Sequence, residues 1–223
     1  CGMAPNEITY NSVINACAMG GESQRALDLL EEMRRRGLAP NEITYNSVIN
    51  TCATGGKWQC ALALLEEMRR CGLVPNEITY NSVINACAKG GESRRALNLL
   101  DDMRSRGLVP NEITYSSVIN ACAKGDEWQR ALDVFDTMRS HGVVPNVITY
   151  SSVINAGVKG NEWQRALDLL DEMRSHGLVP NEITYNSVIN ACAKGGDCQR
   201  ALDLFDEMRL RNLTVDLVTY GAA

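Results

Sequence analysis

The chain has 223 residues, a formal net charge of −5 and an isoelectric point near 5.2. Its hydrophobic fraction of 45% and charged fraction of 22% are those of an ordinary water-soluble protein, and no apolar run is long enough to span a bilayer. These values argue against membrane insertion. The acidic balance argues, at first sight, against a nucleic-acid ligand as well.

A unit of 35 residues recurs six times along the chain without an insertion or a deletion. The six repeats are residues 7–41, 42–76, 77–111, 112–146, 147–181 and 182–216; residues 1–6 match the end of a further repeat and residues 217–223 the start of another. Such a period predicts an all-α solenoid of stacked helix-turn-helix units. The incomplete ends lead us to expect a piece of a longer array, open to self-association through its truncated terminal repeats.

The first half of each repeat predicts a helix, which we call helix A. In repeat 1, Asn6 is a good N-cap and Glu7 suits the first turn, so helix A is expected to run from Glu7 to about Met19. Gly20 and Gly21 then end the helix. The apolar face of helix A is formed by Tyr10, Val13, Ile14 and Cys17.

The second half of each repeat predicts helix B, which covers roughly Glu22 to Arg35 in repeat 1. Its apolar face is formed by Ala26, Leu27, Leu30 and Met33. Gly37 supplies the C-terminal stop. In repeat 6 the equivalent residue is Asn212, which also tolerates a left-handed backbone conformation.

Helix A carries a polar stripe on the side opposite its core face. At 100° per residue, the stripe of repeat 1 consists of Ile8, Asn11, Asn15 and Met19. The fourth stripe residue changes along the chain and reads Met19, Thr54, Lys89, Lys124, Lys159 and Lys194. A lysine at one-repeat intervals suits a phosphate backbone, although a lysine near a helix C-terminus also interacts favourably with the helix dipole.

The acidic residues are concentrated elsewhere. Pairs such as Glu31–Glu32 and Asp171–Glu172 lie late in helix B, the outer layer of a two-helix solenoid, where we expect them to pair with arginines at i,i+4 spacing. Overall acidity is therefore compatible with a basic inner groove.

The chain resembles the pentatricopeptide repeat family in three features. These are the 35-residue period, the helix A consensus ITYNSVINACAKGG and the helix B consensus RALDLLDEMRSRGLVPN. The resemblance covers essentially the whole chain. It implies a right-handed superhelix that binds single-stranded RNA, one base per repeat. Because the family is largely organellar, it also implies a mitochondrial or plastid location.

The resemblance also implies which residues contact RNA. In the family, the fifth and last residues of each repeat select the base, the second residue sandwiches it, and a lysine at the thirteenth position contacts phosphate. The base-selecting pairs become Asn11 with Asn41, Asn46 with Asn76, Asn81 with Asn111, Ser116 with Asn146, Ser151 with Asn181, and Asn186 with Asp216. The base-sandwiching residues become Ile8, Ile43, Ile78, Ile113, Ile148, Ile183 and Val218, and the phosphate-contacting residues Lys89, Lys124, Lys159 and Lys194.

By the family's code, these pairs imply a target near 5′-YYYAAU-3′, with cytosine somewhat favoured over uracil at each pyrimidine. An aspartate only accepts hydrogen bonds, so Asp216 suits the N3–H of uracil. Serine is shorter than asparagine and leaves room for a purine. Met19 and Thr54 depart from the family's lysine, which weakens the expected phosphate contact of repeats 1 and 2.

Two further sets of recurring residues, the central asparagines of helix A and the tryptophans of helix B, are expected to have structural roles. One asparagine lies in the middle of every helix A, so it does not discriminate bases and is expected to link neighbouring helices: Asn15, Asn50, Asn85, Asn120, Asn155 and Asn190. Tryptophans that begin helix B are expected to pack: Trp58, Trp128 and Trp163.

Nothing in the sequence predicts an active site, a metal or a cofactor. His141 and His176 precede the inter-repeat turn, with no constellation of catalytic groups repeated around them. Five of the nine cysteines occupy one buried repeat position, namely Cys17, Cys52, Cys87, Cys122 and Cys192, and no cysteine spacing suits zinc. We therefore expect a reducing compartment and no disulfide framework.

Two functions remain open from the sequence. The first is sequence-specific binding of single-stranded RNA, with a role in organellar RNA processing or stability. The alternative is a protein-interaction scaffold that holds a peptide in the concave groove. The regularity of the polar stripe favours a ligand with a regular repeat. Irregular departures such as Cys60 and Gly157 favour natural duplication over a consensus design.

Overall fold

The structure is a computed structural model that describes residues 5–160 and 162–213. In these ranges the regular secondary structure consists of twelve α-helices, which confirms the all-α prediction. Repeats 1 to 3 contain α1 (Glu7–Gly20), α2 (Ser23–Arg35), α3 (Glu42–Thr54), α4 (Trp58–Arg70), α5 (Glu77–Lys89) and α6 (Ser93–Ser105). Repeats 4 to 6 contain α7 (Glu112–Lys124), α8 (Trp128–Ser140), α9 (Val147–Lys159), α10 (Trp163–Ser175), α11 (Glu182–Gly195) and α12 (Cys198–Leu210).

The helices are grouped in two compact units, one ending at Pro110 and the other beginning at Asn111. In the first unit α1, α3 and α5 pack side by side, and α2 and α4 each contact both their own helix A and the next one. The second unit repeats this arrangement, with α7, α9 and α11 in a row and α8 and α10 packed against them. Each unit therefore has a layer of A helices and a layer of B helices.

An asparagine caps the start of each helix A. Asn41 Oδ1 accepts a hydrogen bond from Thr44 N at 3.1 Å, and Asn41 N donates to Thr44 Oγ1 at 3.2 Å. This capping box satisfies backbone donors that the first helical turn leaves free. The same box recurs at Asn76, Asn111 and Asn146. The cap also fixes the orientation of side chains that are candidates for base selection.

Helix B ends at a residue in the left-handed conformation, as predicted. Gly37 has φ 73°, and the next residue, Leu38, donates its N–H to Met33 O at 3.1 Å. Asn212 takes the equivalent position in repeat 6 with φ 55°. This closure satisfies the last carbonyls of helix B and turns the chain toward the next repeat.

The core lies between the two layers. Where α3 packs against α4, Tyr45, Ile49 and Cys52 of α3 and Leu65 and Met68 of α4 are all buried. The prediction that Val13 is a core residue is wrong, because its side chain is 40% exposed, whereas the equivalent Val48 is fully buried. The preceding repeat covers Val48, and no helix precedes α1 in the described residues. Within the described ranges, no helix combines the length and hydropathy needed to cross a bilayer.

Candidate nucleic-acid interface

The isoleucines of the polar stripe are accessible to solvent. Ile8, Ile43, Ile78, Ile113, Ile148 and Ile183 are 62–74% exposed. Each lies in the first turn of helix A, next to the asparagine cap. The structure thus brings the predicted sandwiching and base-selecting residues together at the start of every helix A. Val218 and Asp216 lie outside the described residues.

The asparagines that end repeats 1 to 5 use their amide oxygen to cap the following helix A. Asn76 Oδ1 accepts hydrogen bonds from Thr79 N and Thr79 Oγ1, both at 3.1 Å. Asn181 Oδ1 accepts from Thr184 N at 3.0 Å in the same way. Because the cap engages the amide oxygen, the side chain offers its NH₂ group as the remaining hydrogen-bonding group.

In repeats 1, 2, 4 and 5 the fifth residue is tied to the next repeat by a threonine. Thr44 Oγ1 lies 2.6 Å from Asn11 Oδ1 and 3.1 Å from Asn41 Oδ1. A hydroxyl has one hydrogen, so the shorter distance assigns it to Asn11. Asn11 Nδ2 in turn lies 3.5 Å from Asn41 Oδ1. The two predicted base-selecting residues of repeat 1 are therefore neighbours, and the oxygens of both are engaged.

Serine at the fifth position lies deeper than asparagine. Ser116 is 9% exposed and Ser151 is 5% exposed. Ser151 Oγ donates to Val147 O at 2.7 Å and lies 2.7 Å from Thr184 Oγ1. Ser116 Oγ lies 2.7 Å from Thr149 Oγ1. These hydroxyls are largely used within the protein, so serine contributes space to the site more than hydrogen-bonding groups.

That space is visible as a cavity of about 250 Å³ at repeat 5. Its lining residues are Asn120, Ile148, Ser151, Ser152, Asn155, Asn181 and Ile183. The set contains both predicted base-selecting residues of repeat 5 and the isoleucines of repeats 5 and 6. The lining therefore combines two apolar side chains with several polar ones, a combination that suits a heteroaromatic ligand.

Asn146, the predicted base-selecting asparagine of repeat 4, has an additional partner. Asn146 Nδ2 donates a hydrogen bond to the Glu112 carboxylate, at the start of the same repeat. In repeat 5 the residue equivalent to Glu112 is Val147, so that repeat has no carboxylate at this position. The two serine-containing repeats thus differ in how freely their last asparagine meets a ligand.

The lysines of the polar stripe have different surroundings. Lys89 Nζ donates to Thr54 O, a C-terminal carbonyl of the preceding helix A, at 3.0 Å. Lys159 Nζ lies 2.8 Å from Asp126 Oδ1. Lys124 and Lys194 are exposed and make no ion pair among the described residues. The contact of Lys89 fits the helix-terminus interpretation, Lys159 is paired with a carboxylate, and Lys124 and Lys194 remain available for phosphate contact.

Buried tyrosines join neighbouring repeats through arginine and carboxylate, a network that our reading of the sequence missed. Arg69 forms an ion pair with Asp102 and donates to Tyr80 Oη at 2.7 Å. Tyr80 Oη lies 2.5 Å from Asp102 Oδ2. Burial alone would raise the pKa of Asp102, but hydrogen bonds from Tyr80 and Arg106 and the charge of Arg69 lower it.

The same network recurs along each unit. Ion pairs across adjacent repeats join Arg34 with Glu67, Arg139 with Glu172, and Arg174 with Glu207. Arginines also pair within helix B at i,i+3 spacing, and the arginines that follow α2 and α6 pair at the expected i,i+4 spacing. The sequence signal for the inter-repeat pairs is an arginine followed 33 residues later by a carboxylate.

The asparagines in the middle of helix A do not have the expected role. None of Asn15, Asn50, Asn85, Asn120, Asn155 and Asn190 makes a side-chain hydrogen bond to another described residue. The expectation that they link neighbouring helices is therefore wrong. They are half-buried or exposed, and Asn120 and Asn155 line the repeat 5 cavity.

The tryptophans pack, as predicted. A Cβ placed on Gly90 would lie 2.5 Å from Trp58 Cδ1, and one on Gly195 would lie 2.5 Å from Trp163 Cδ2. Gly160 meets Trp128 in the same way. Each tryptophan thus lies against a glycine at the C-terminal end of helix A in the next repeat.

The histidines and cysteines are placed as expected. His141 and His176 are exposed, and their Nδ1 atoms lie 2.7 Å from Thr137 O and 2.8 Å from Glu172 O. Burial raises the pKa of Cys52 to about 11 and of Cys122 to about 12, which disfavours the reactive thiolate. No cluster of His, Cys, Asp and Glu among the described residues suits a metal ion.

Two family profiles match the chain. The profile described as the pentacotripeptide-repeat region of PRORP matches residues 43–219, and the profile described as the PPR repeat family matches residues 5–54. Comparison with curated proteins gave no match.

Several solved structures are similar to this chain. The pentatricopeptide repeat protein PPR10 from maize is 33% identical with a TM-score of 0.69, over 99% of this chain and 32% of that one. PPR10 in complex with an 18-nt psaJ RNA element is 26% identical with a TM-score of 0.61, over 99% of this chain and 37% of that one. The chain thus spans about a third of the length of PPR10.

A third match is the PPR domain of Arabidopsis thaliana protein-only RNase P 1 in complex with tRNA. It is 19% identical with a TM-score of 0.66, over 78% of this chain and 91% of that one, and at this identity it shows the fold alone. The profile over residues 43–219 covers well over half of the chain and agrees with the paired helices and the 35-residue period. The chain belongs to the pentatricopeptide repeat family.

Proposed function

We propose that this chain binds single-stranded RNA on the polar stripes of its A helices, one base per repeat, with a target near 5′-YYYAAU-3′. The observation that carries the proposal is the repeat 5 cavity, which joins Ile148, Ile183, Ser151 and Asn181 in one site. The maize PPR10 structure with a bound psaJ RNA element supports it as a similar protein with an RNA ligand. By family, we place its role in the processing or stability of organellar RNA.

The cap at the start of helix A supplies a physical reason for base selection by the last residue of a repeat. Asn76 and Asn181 use Oδ1 for the cap and present NH₂. A donor in this position suits a base whose ring nitrogen is an acceptor on the Watson–Crick edge, which is cytosine or adenine. An aspartate keeps one oxygen for the cap and presents the other as an acceptor, which suits the ring N–H of uracil or guanine.

The fifth residue would then select by size. Asn11 and Asn46 are held by Thr44 and Thr79 at 2.6 Å, so each side chain fills the space beside the cap. Ser151 is nearly buried and leaves a cavity of about 250 Å³. The smaller pyrimidines suit the asparagine repeats and the larger purines suit the serine repeats. Together the two rules favour cytosine in repeats 1 to 3 and adenine in repeats 4 and 5.

Stacking and charge set the strength of binding. Aliphatic isoleucines give less than the roughly 1–3 kcal/mol that aromatic side chains contribute per base, so we expect roughly micromolar affinity for this fragment. Salt should weaken binding, because the exposed Lys124 and Lys194 would contact phosphates.

The proposal can be tested by fluorescence anisotropy with single-stranded CCCAAU RNA, flanked by unstructured nucleotides. We expect tighter binding to this RNA than to GGGCCG RNA or to CCCAAT DNA, and weaker binding at higher salt. An absence of RNA binding at low salt would overturn the proposal and favour the peptide scaffold.

A switch of specificity tests the assignment of individual residues. Asn181→Asp should change the preference at the fifth base from adenine to guanine, because aspartate caps as well as asparagine but presents an acceptor. Repeat 5 is the better site for this experiment, since Asn146→Asp in repeat 4 would place a second carboxylate beside Glu112. Asn181→Ser is the matched control, which keeps a cap and removes the amide. If Asn181→Asp leaves the base preference unchanged, the pairing of positions is wrong.

A further inference from the structure

Each helix A carries a central asparagine that neither the fold nor the proposed base contacts use. These asparagines are Asn15, Asn50, Asn85, Asn120, Asn155 and Asn190, one in the middle of each helix A. None has a side-chain hydrogen bond among the described residues. By contrast, the neighbouring Asn11 and Asn46 on the same helix face are bonded at 2.6 Å.

Two of the central asparagines have amides that a ligand can reach. Asn120 and Asn155 are half-buried and have no side-chain hydrogen bond to another described residue. They line the same cavity as Ser151, Asn181 and the two isoleucines. Whatever occupies this cavity therefore meets both central asparagines.

The order of residues along helix A indicates which part of a nucleotide they meet. In repeat 5, Ser151, Asn155 and Lys159 are spaced four residues apart, which is about 6 Å per step on one helix face. The first is assigned to the base and the last to the phosphate. The ribose lies between base and phosphate in every nucleotide, as Asn155 lies between the two side chains.

The presence of the same central residue in every repeat also indicates the ribose. The fifth residue changes from asparagine to serine along the chain, whereas the central residue is asparagine in all six repeats. A side chain that is the same in every repeat suits a group that is the same in every nucleotide. The ribose 2′-hydroxyl can both donate and accept a hydrogen bond. An asparagine amide can match either, because its oxygen accepts and its NH₂ group donates.

We propose that the central asparagines hydrogen-bond the ribose 2′-hydroxyls and make this chain prefer RNA over DNA. The inference rests on the proposed RNA-binding function and goes beyond it, because it assigns discrimination of the sugar to residues that do not select bases.

The test is a set of CCCAAU oligonucleotides, each with a single 2′-deoxy substitution, measured with wild type and with Asn155→Ala. Alanine is a better helix former than asparagine, so the variant should remain folded, which circular dichroism and urea unfolding would verify. We expect wild type to lose roughly three- to tenfold in affinity at the nucleotide that Asn155 contacts. Asn155→Ala should bind all-ribose RNA more weakly by a similar factor. The 2′-deoxy substitution at that nucleotide should then cause no further loss of affinity in the variant.

Asn190→Ala is the matched control, because it alters the same position one repeat later. The nucleotide whose 2′-hydroxyl ceases to matter should move by one between the two variants. Equal losses on 2′-deoxy substitution in wild type and in both variants would overturn the inference while leaving RNA binding intact. If wild type itself binds no RNA, the proposed function fails, and the two failures are thereby distinguished.

Discussion

Asp126 forms an ion pair with Lys159 across adjacent repeats, with Oδ1 and Nζ 2.8 Å apart. Asp126 also has φ 58°, a left-handed conformation that glycine adopts at the equivalent position of other repeats, as Gly56 does with φ 68°. In the first unit the equivalent lysine, Lys89, instead donates to Thr54 O. Asp126 is thus paired with Lys159, the lysine that we expect to contact an RNA phosphate in repeat 5.

Replacing Asp126 with glycine should improve both stability and RNA binding. Glycine relieves the left-handed strain, which is worth up to ~1 kcal/mol, and frees Lys159 for a phosphate. A further phosphate contact would steepen the dependence of log affinity on log salt by roughly 0.7. Urea unfolding and anisotropy at four salt concentrations would measure the two effects. Asp126→Asn is the control that removes the charge while keeping a residue that tolerates this conformation; unchanged affinity in both variants would contradict the idea.

Replacing Gly90 with alanine should destabilise the chain through Trp58. The backbone of Gly90 is ordinary, with φ −81°, so the cost comes from a Cβ placed 2.5 Å from the indole. Overpacking of this kind costs about 1–3 kcal/mol, measured by urea unfolding. The Trp58→Ser, Gly90→Ala double variant should recover most of the loss. Gly55→Ala, which faces Ser23 with its nearest atom at 3.2 Å, should cost less; an equal cost would show that the tryptophan is not the cause.

Stability should fall on the acid side because of the inter-repeat carboxylates. The folded chain lowers the pKa of Asp102 below its ordinary 3.8 and that of Glu207 below 4.5. The unfolded chain therefore binds protons first, so the stabilisation is present above these ordinary values and is lost as the pH falls through the folded ones. Urea unfolding between pH 7 and pH 3 would record the decline.

Asp102→Asn should remove part of the stability at pH 7 and flatten the acid dependence. The matched control is Asp101→Asn, because Asp101 is exposed and its arginine partner lies 3.7 Å away in its own helix. A pH profile of Asp102→Asn that parallels wild type would assign the decline to other carboxylates.

Variants of Asn76 can distinguish its role as a helix cap from its proposed role in base selection. Asn76→Ala removes the acceptor for Thr79 N and should cost about 1 kcal/mol of folding stability. Asn76→Ser keeps a side-chain acceptor, so its stability should stay close to that of wild type. Both variants lose the NH₂ group and should lose the preference for cytosine at the second base. Retention of that preference in Asn76→Ser would show that the amide does not read the base.

The sequence by itself determined the helices, because their signals are local. The asparagine caps, the glycine stops and the apolar faces each depend on residues within a few positions, and their six-fold recurrence defined the repeat. The exposed isoleucines followed from the same periodicity. Val13 was predicted wrongly because burial depends on a neighbouring repeat, which the helical wheel of one repeat does not contain.

The tertiary structure alone decided which polar groups are engaged and which are free. The bonds from Thr44 to Asn11, from Arg69 to Asp102 and from Lys159 to Asp126 all join residues 33 positions apart. Hydrogen bonds at that separation depend on how one repeat is placed on the next, so no local pattern predicts which amide oxygen is engaged or which lysine is paired. Among the described residues, the same placement leaves the central asparagines without side-chain hydrogen bonds, which their recurrence in the sequence did not reveal.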